Sequence, residues 1–111
     1  MNHKYIENKL LSYPDTWLDF PFGDGVSVYK VGNKDTKEGK MFALIADTSD
    51  PLRLSLKCDP SLSIILREKY ETVLPGYHLN KKHWNTILCT GQVPEDELFD
   101  LINLSYNLVT T

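Results

Sequence analysis

The densest group of chemically capable side chains runs from Pro75 to Asn85, and within it stand Tyr77, His78, Asn80, Lys81, Lys82, His83, Trp84 and Asn85. Lysines attract phosphates, Asn and His offer hydrogen bonds to bases or phosphates, and Tyr and Trp present rings on which bases stack. From Gly76 to Gln92 there are two lysines and no acid, whereas Val93 to Thr111 holds four acids and no base. A hairpin that displays this set can enter a groove or lie along a strand. The plainer alternative is a solvated polar turn beside a structural Trp84.

A second stretch, Leu54-Ser55-Leu56-Lys57-Cys58-Asp59-Pro60, places Lys57 and Ser55 on the same strand face as Arg53. If that face adjoins the lysine-bearing hairpin, the basic patch grows to Arg53, Lys57, Lys81 and Lys82. Other chemistry is poorly served. Cys58, His78, His83 and Cys89 are zinc-ligand types, but no Cys-x-x-Cys is present and His-x4-His matches no helical ligand pair. Nothing local marks either thiol as activated. Gly23-Asp24-Gly25 lacks the spacing and the Lys-Ser/Thr of a phosphate loop. Asp15, Asp19 and Asp24 read as turn and cap residues rather than paired catalytic carboxylates. The expectation is a binding protein and not an enzyme, with no metal and no cofactor.

Periodicity supplies the elements that must hold these groups. Ile6, Leu10 and Tyr13 share one face of a short opening helix that Pro14 stops. Asp15 to Gly25 reads as a loop whose aromatics Trp17, Phe20 and Phe22 are pinned on the core, with room for a short strand at Trp17–Phe20. Val26–Val31 and the apolar run Met41–Ala46 read as strands joined by a long exposed loop, Gly32 to Gly39. Leu52, Leu54 and Leu56 alternate with Arg53, Ser55 and Lys57, the pattern of an antiparallel strand with one face buried. Asp59-Pro60 starts a helix with Leu62, Ile65, Leu66 and Tyr70 on its buried face. Tyr77–Asn80 and Trp84–Cys89 read as two strands around a Lys81-Lys82-His83 turn. Pro94 opens the last helix, with Glu95, Asp96 and Glu97 at the end that favours negative charge. The order is α-β-β-β-α-β-β-α. It predicts an α+β two-layer sandwich, an antiparallel sheet of about five strands with three main helices.

Composition sets the outer bounds. The 111 residues, 41% hydrophobic and 24% charged, suit one globular domain spanning 1–111. A formal net charge of −3 excludes bulk attraction to nucleic acid or anionic membrane, so any such contact uses a local patch. Two cysteines make no disulfide framework, and both are expected reduced and unbridged. No run approaches the ~18 apolar residues of a membrane span, and Met1 to Lys9 has no signal-peptide core. The expectation is a cytoplasmic monomer with no membrane association.

Three blocks taken together, Leu54 to Pro60, Pro75 to Thr86, and Val93 to Leu98 with Ser105-Tyr106, resemble the MmcQ/YjbR family. Leu18 to Phe22 and Lys40 to Leu44 are similar to it as well, so the resemblance covers nearly the whole chain. It implies a small α+β fold like that of type III secretion chaperones, and a DNA-binding role through a double-wing motif. A wing built on Gly32 to Gly39 would be longer here than the family's short turn. Carried onto this chain, the implied DNA contacts are Tyr77, His78, Asn80, Lys81, Lys82, His83 and Asn85, with Lys57 added by its strand face. The competing expectation is a module for a partner protein or a small anionic ligand.

Overall fold

The computed structural model describes residues 2–111. Helix α1 (His3–Leu10) is capped by Asn2, whose Oδ1 accepts the Tyr5 N–H at 2.9 Å. Four strands follow: β1 (Thr16–Asp19), β2 (Val26–Asn33), β3 (Glu38–Ala46) and β4 (Arg53–Lys57). Then come α2 (Pro60–Lys69), β5 (Val73–Pro75), β6 (Trp84–Leu88) and α3 (Glu95–Thr110). The strands form one antiparallel sheet in the order β1-β2-β3-β4-β6-β5. The helices supply one face of the main core, where Ile6, Leu10, Leu66, Leu98 and Ile102 meet Tyr29, Ile45, Leu54 and Ile87. This is the expected α+β sandwich, with three helices and six strands instead of five. Among the described residues no helix is long and apolar enough to cross a membrane.

Four local readings need correction. Thr16–Asp19 is a full edge strand, paired from Thr16↔Val31 to Asp19↔Val28; of its aromatic neighbourhood only Trp17 is buried, while Phe20 and Phe22 are exposed. The Gly32–Gly39 segment is no long loop. The strands continue to Asn33 and Glu38 and leave Lys34–Lys37 as the turn, where Asn33 Oδ1 accepts the Asp35 N–H at 2.9 Å. Gly32 and Gly39 face each other in the ladder, and a Cβ on Gly32 would stand 2.3 Å from the Glu38 carbonyl oxygen. These glycines permit a close strand approach rather than marking loop ends.

The third correction concerns Tyr77–Asn80. The strand beside β6 is Val73–Pro75, and the chain leaves the sheet after the Gly76 N–H bonds the Trp84 carbonyl at 2.9 Å. His78 has φ 57°, which breaks any extended run. In α2 the sheet-facing side holds Ser63, Leu66 and Tyr70, while Ile65 is 58% exposed.

A buried serine repairs the sheet where β3 bulges. The register slips between Tyr29 and Lys30, so Phe42 falls out of the ladder. Ser105 of α3, fully buried, donates to the Phe42 carbonyl at 2.5 Å and accepts the Lys57 N–H at 3.0 Å. Two backbone groups orphaned by the bulge are thus satisfied by one hydroxyl.

Among the described residues the opposite face carries no helix. Val28, Leu44 and Trp84 form a small cluster there, edged by Val26, Met41 and Leu79. Trp84, 8% exposed, is therefore a packing residue of the helix-free face.

Candidate functional site

The segment from Gly76 to His83 folds back over this second face. Its shape is set from within and from α2. A Cβ at Gly76 would come within 2.7 Å of the Trp84 Cβ, so glycine lets the loop root lie close against the start of β6. The Asn80 carbonyl accepts the Trp84 N–H at 3.0 Å, and Asn80 Oδ1 accepts the Lys82 N–H at 2.9 Å. Lys81 Nζ donates to the Gly76 carbonyl at 2.9 Å. From α2, Arg67 Nε donates to Asn85 Oδ1 at 2.7 Å, while its Nη2 donates to the carbonyls of Lys81 and Trp84. The His83 carbonyl accepts the Cys58 N–H at 2.8 Å.

These bonds sort the residues that sequence reasoning grouped together. Tyr77, His78, Asn80 and Lys82 are exposed on the loop. Lys57 is half-buried on the same sheet face, in register with Trp84. Lys81 spends its ammonium on the loop's own backbone. His83 is half-buried and serves through its carbonyl. Asn85 is 2% exposed and points to the helix side, so it is removed from any surface contact set. Its side chain anchors Arg67 instead.

The loop shelters a cleft of about 400 Å³ on the helix-free face. The floor is sheet: Leu44, Ser55 and Thr86 lie in one cross-strand row, with Ala46 and Arg53 in the next. Tyr77, His78 and Leu79 form one wall, and Phe22, 60% exposed on the β1–β2 connection, lies at another. Ser55 Oγ and Thr86 Oγ1 bond each other at 2.8 Å, and Thr86 Oγ1 also accepts the Tyr77 N–H at 3.0 Å. The Arg53 guanidinium lies 5.6 Å from the Tyr77 ring centroid, and the Tyr77 and His78 rings are 4.0 Å apart. Arg53 thus does adjoin the loop, as its strand phase suggested. Phe22 was missed as a site residue; its signal was a large aromatic between Pro21 and the Gly23-Asp24-Gly25 turn, where burial is hard to achieve.

Nucleophile and metal chemistry find little here. Burial pushes the Cys58 thiol up from its ordinary value and the Cys89 thiol up to about 11, the opposite of activation. Both thiols are free. His3, Ser27 and Asp47 do meet: His3 Nε2 lies 2.7 Å from Asp47 Oδ1, and Ser27 Oγ donates to the same carboxylate at 2.8 Å. The carboxylate and the serine, the latter at 3.5 Å, face the same Nε2 rather than opposite ring nitrogens, and the serine is 2% exposed, so the trio ties α1 to the sheet. Among the described residues no three ligand-type side chains gather around one point.

Known proteins share this frame. The chain is 36% identical to the uncharacterized protein YbdF of Escherichia coli O157:H7 over 107 residues, 96% of this chain and 83% of that protein. It is 46% identical to the uncharacterized protein YyaQ of Bacillus subtilis strain 168 over 55 residues, 50% of this chain and 46% of that protein. A crystal structure of a Deinococcus radiodurans protein of the DUF419 domain matches with a TM-score of 0.93 and 41% identity, covering 99% of this chain and 79% of that one. The sequence profile of YjbR matches residues 11–108, and the chain belongs to the YjbR family.

Proposed function

We propose that the protein binds DNA through its helix-free face, with the Gly76–His83 loop as the contact element, and that it acts as a monomeric binding protein without catalysis. The observation that carries the reading is the grouping of Tyr77, His78, Asn80 and Lys82, all exposed, on a loop already fixed by Arg67. A pre-set loop loses little freedom on binding. Phe22 and Tyr77, 60% and 61% exposed, offer two rings for stacking, which favours a single strand over a closed duplex. Three cations, Arg53, Lys57 and Lys82, share this side. If each neutralises one phosphate, the log–log salt slope for a single strand is about −2.

The test is fluorescence anisotropy of labelled single-stranded and duplex oligonucleotides at several salt concentrations. Lys82→Ala is expected to make the slope shallower by about 0.7, and Tyr77→Ala to weaken single-strand binding by about 1–3 kcal/mol. Absence of binding to either form at low salt overturns the reading. The apolar lining of this half-open cleft favours a second reading, a small-ligand module. A ligand held there by apolar contact keeps its affinity as salt rises, which separates the two.

A further inference from the structure

The cleft pairs an apolar interior with one uncommitted cation. Val26, Leu44, Ala46 and Leu79 give it walls without hydrogen-bonding groups. Arg53 stands among the lining residues, exposed, and has no carboxylate within ion-pair distance among the described residues. The Tyr77 ring beside the guanidinium helps to orient its planar fork. Besides Arg53, the Tyr77 phenol and His78, the polar side chains of the lining, among the described residues, are Ser55 and Thr86. The two hydroxyls bond each other, and Thr86 already accepts the Tyr77 N–H, so one hydroxyl hydrogen remains to donate. Seated inside, a nucleobase would set several of its donors and acceptors against the apolar walls of Val26, Leu44, Ala46 and Leu79, whereas the rings at the rim stay open to stacking. A body without polar atoms meets no such penalty.

Size and charge narrow the ligand further. At about 30 Å³ per water-sized group in a liquid, the cleft holds roughly a dozen non-hydrogen atoms. One arginine fork matches one carboxylate, two oxygens against two N–H groups. A phosphate monoester carries roughly twice the charge, and Arg53 alone would leave it half-neutralised. We infer that this cleft binds a small amphipathic carboxylate, an apolar chain or ring of about ten carbons lying over Leu44 and Ala46 with its head on Arg53. The inference rests on the small-ligand reading of the same site.

The test titrates the full chain with decanoate and, separately, with decanol, both below their aggregation concentrations, and follows backbone amide shifts by NMR. Decanoate is expected to shift Leu44, Ala46 and Leu79 saturably and to bind more tightly than decanol. Arg53→Gln, on an exposed side chain, should weaken decanoate about tenfold or more and leave decanol within about twofold. Ala46→Phe, filling the cleft, should remove both responses; its amide spectrum reports whether it has folded, and Arg53→Gln stands as the independent variant. If the two ligands bind alike and Arg53→Gln changes neither, the carboxylate proposal falls while a small-ligand cleft survives. If neither ligand moves the cleft residues, or the shifts centre on the α2–α3 surface instead, both the proposal and the reading beneath it fall.

Discussion

Replacing Arg67 with Met tests whether α2 holds the Gly76–His83 loop in shape. The substitution keeps an unbranched apolar stem and removes the guanidinium that makes three hydrogen bonds. Two of the acceptors recover without it. The Lys81 residue is exposed, so water can reach its carbonyl, and the Trp84 carbonyl keeps the Gly76 N–H at 2.9 Å. Asn85 does not recover. It is 2% exposed, and its Nδ2 finds no acceptor among the described residues, so Arg67 is the amide's sole partner there. A hydrogen bond to a charged group contributes about 1.5–3 kcal/mol, and a buried amide oxygen left bare costs about 1–3 kcal/mol. The two figures describe one loss, so the expected destabilisation is about 2–3 kcal/mol. At about 4 °C per kcal/mol for a chain of this size, melting falls by about 10 °C. Urea denaturation of wild type, Arg67→Met, Asn85→Ala and the double variant closes a cycle. The expected coupling is about 1–2 kcal/mol, because each single change orphans the same contact. Additivity within about 0.5 kcal/mol would refute the reasoning and leave the loop's shape to Gly76 and Asn80 alone.

Other outcomes follow from the same geometry. Trp84→Ala removes a nearly buried indole from the helix-free cluster and should cost about 3–5 kcal/mol in chemical denaturation; unchanged stability with lost ligand binding would make the ring a contact and not a packing residue. Ser105→Ala leaves the Phe42 carbonyl and Lys57 N–H unpaired beside the bulge, for a loss of about 2–4 kcal/mol and faster amide exchange at Lys57. Burial raises the Cys89 thiol to about 11, so its thiolate is reached only at high pH. Its iodoacetamide alkylation, read by peptide mass spectrometry, should keep rising about tenfold per pH unit through pH 10, whereas a plateau near pH 9 would mean the thiol is open to water.

The elements that announced themselves in the sequence are those whose burial follows a single period. Leu52 to Lys57 alternates cleanly because β4 is a central strand with its leucines under the helices, and Asp59-Pro60 caps α2 through Asp59 Oδ2 as expected. The errors fall where a side chain's fate depends on a distant partner. Ile65 fits an apolar helical stripe by spacing, yet α2 turns Ser63 inward because the helix meets the sheet along Leu66 and Tyr70. Tyr77-His78-Leu79 alternates like a strand, but β6 already has its neighbour in Val73–Pro75. Edge position is a property of the whole sheet and leaves no local mark. Gly32 and Gly39 were legible as special residues and misassigned in role, since a glycine needed for close ladder approach and one needed for a turn look alike in one dimension.

The site shows the same limit in chemical form. An acid-free stretch of donors suggested one surface, and the fold divides it by hydrogen-bond satisfaction. A loop that leaves its sheet must pair the backbone groups it strands. Here Lys81, Arg67 and the amide of Asn80 meet that demand, and Asn85 in turn holds Arg67. An acid in this stretch would compete for Arg67 and Lys81, so its lack of acids suits the loop's own hydrogen bonds before any ligand is considered. What structure leaves uncommitted is smaller: Lys82, His78 and the ring of Tyr77 on the loop, and Arg53 beside it. Binding chemistry must be argued from that remainder. Its members adjoin an apolar cleft instead of forming a broad positive surface, so the proposed binding is expected to rest on shape and on few charges. Weak salt dependence is therefore the expected outcome of a titration here, and a steep slope like that of a protein that holds DNA by charge alone would refute this division of the loop.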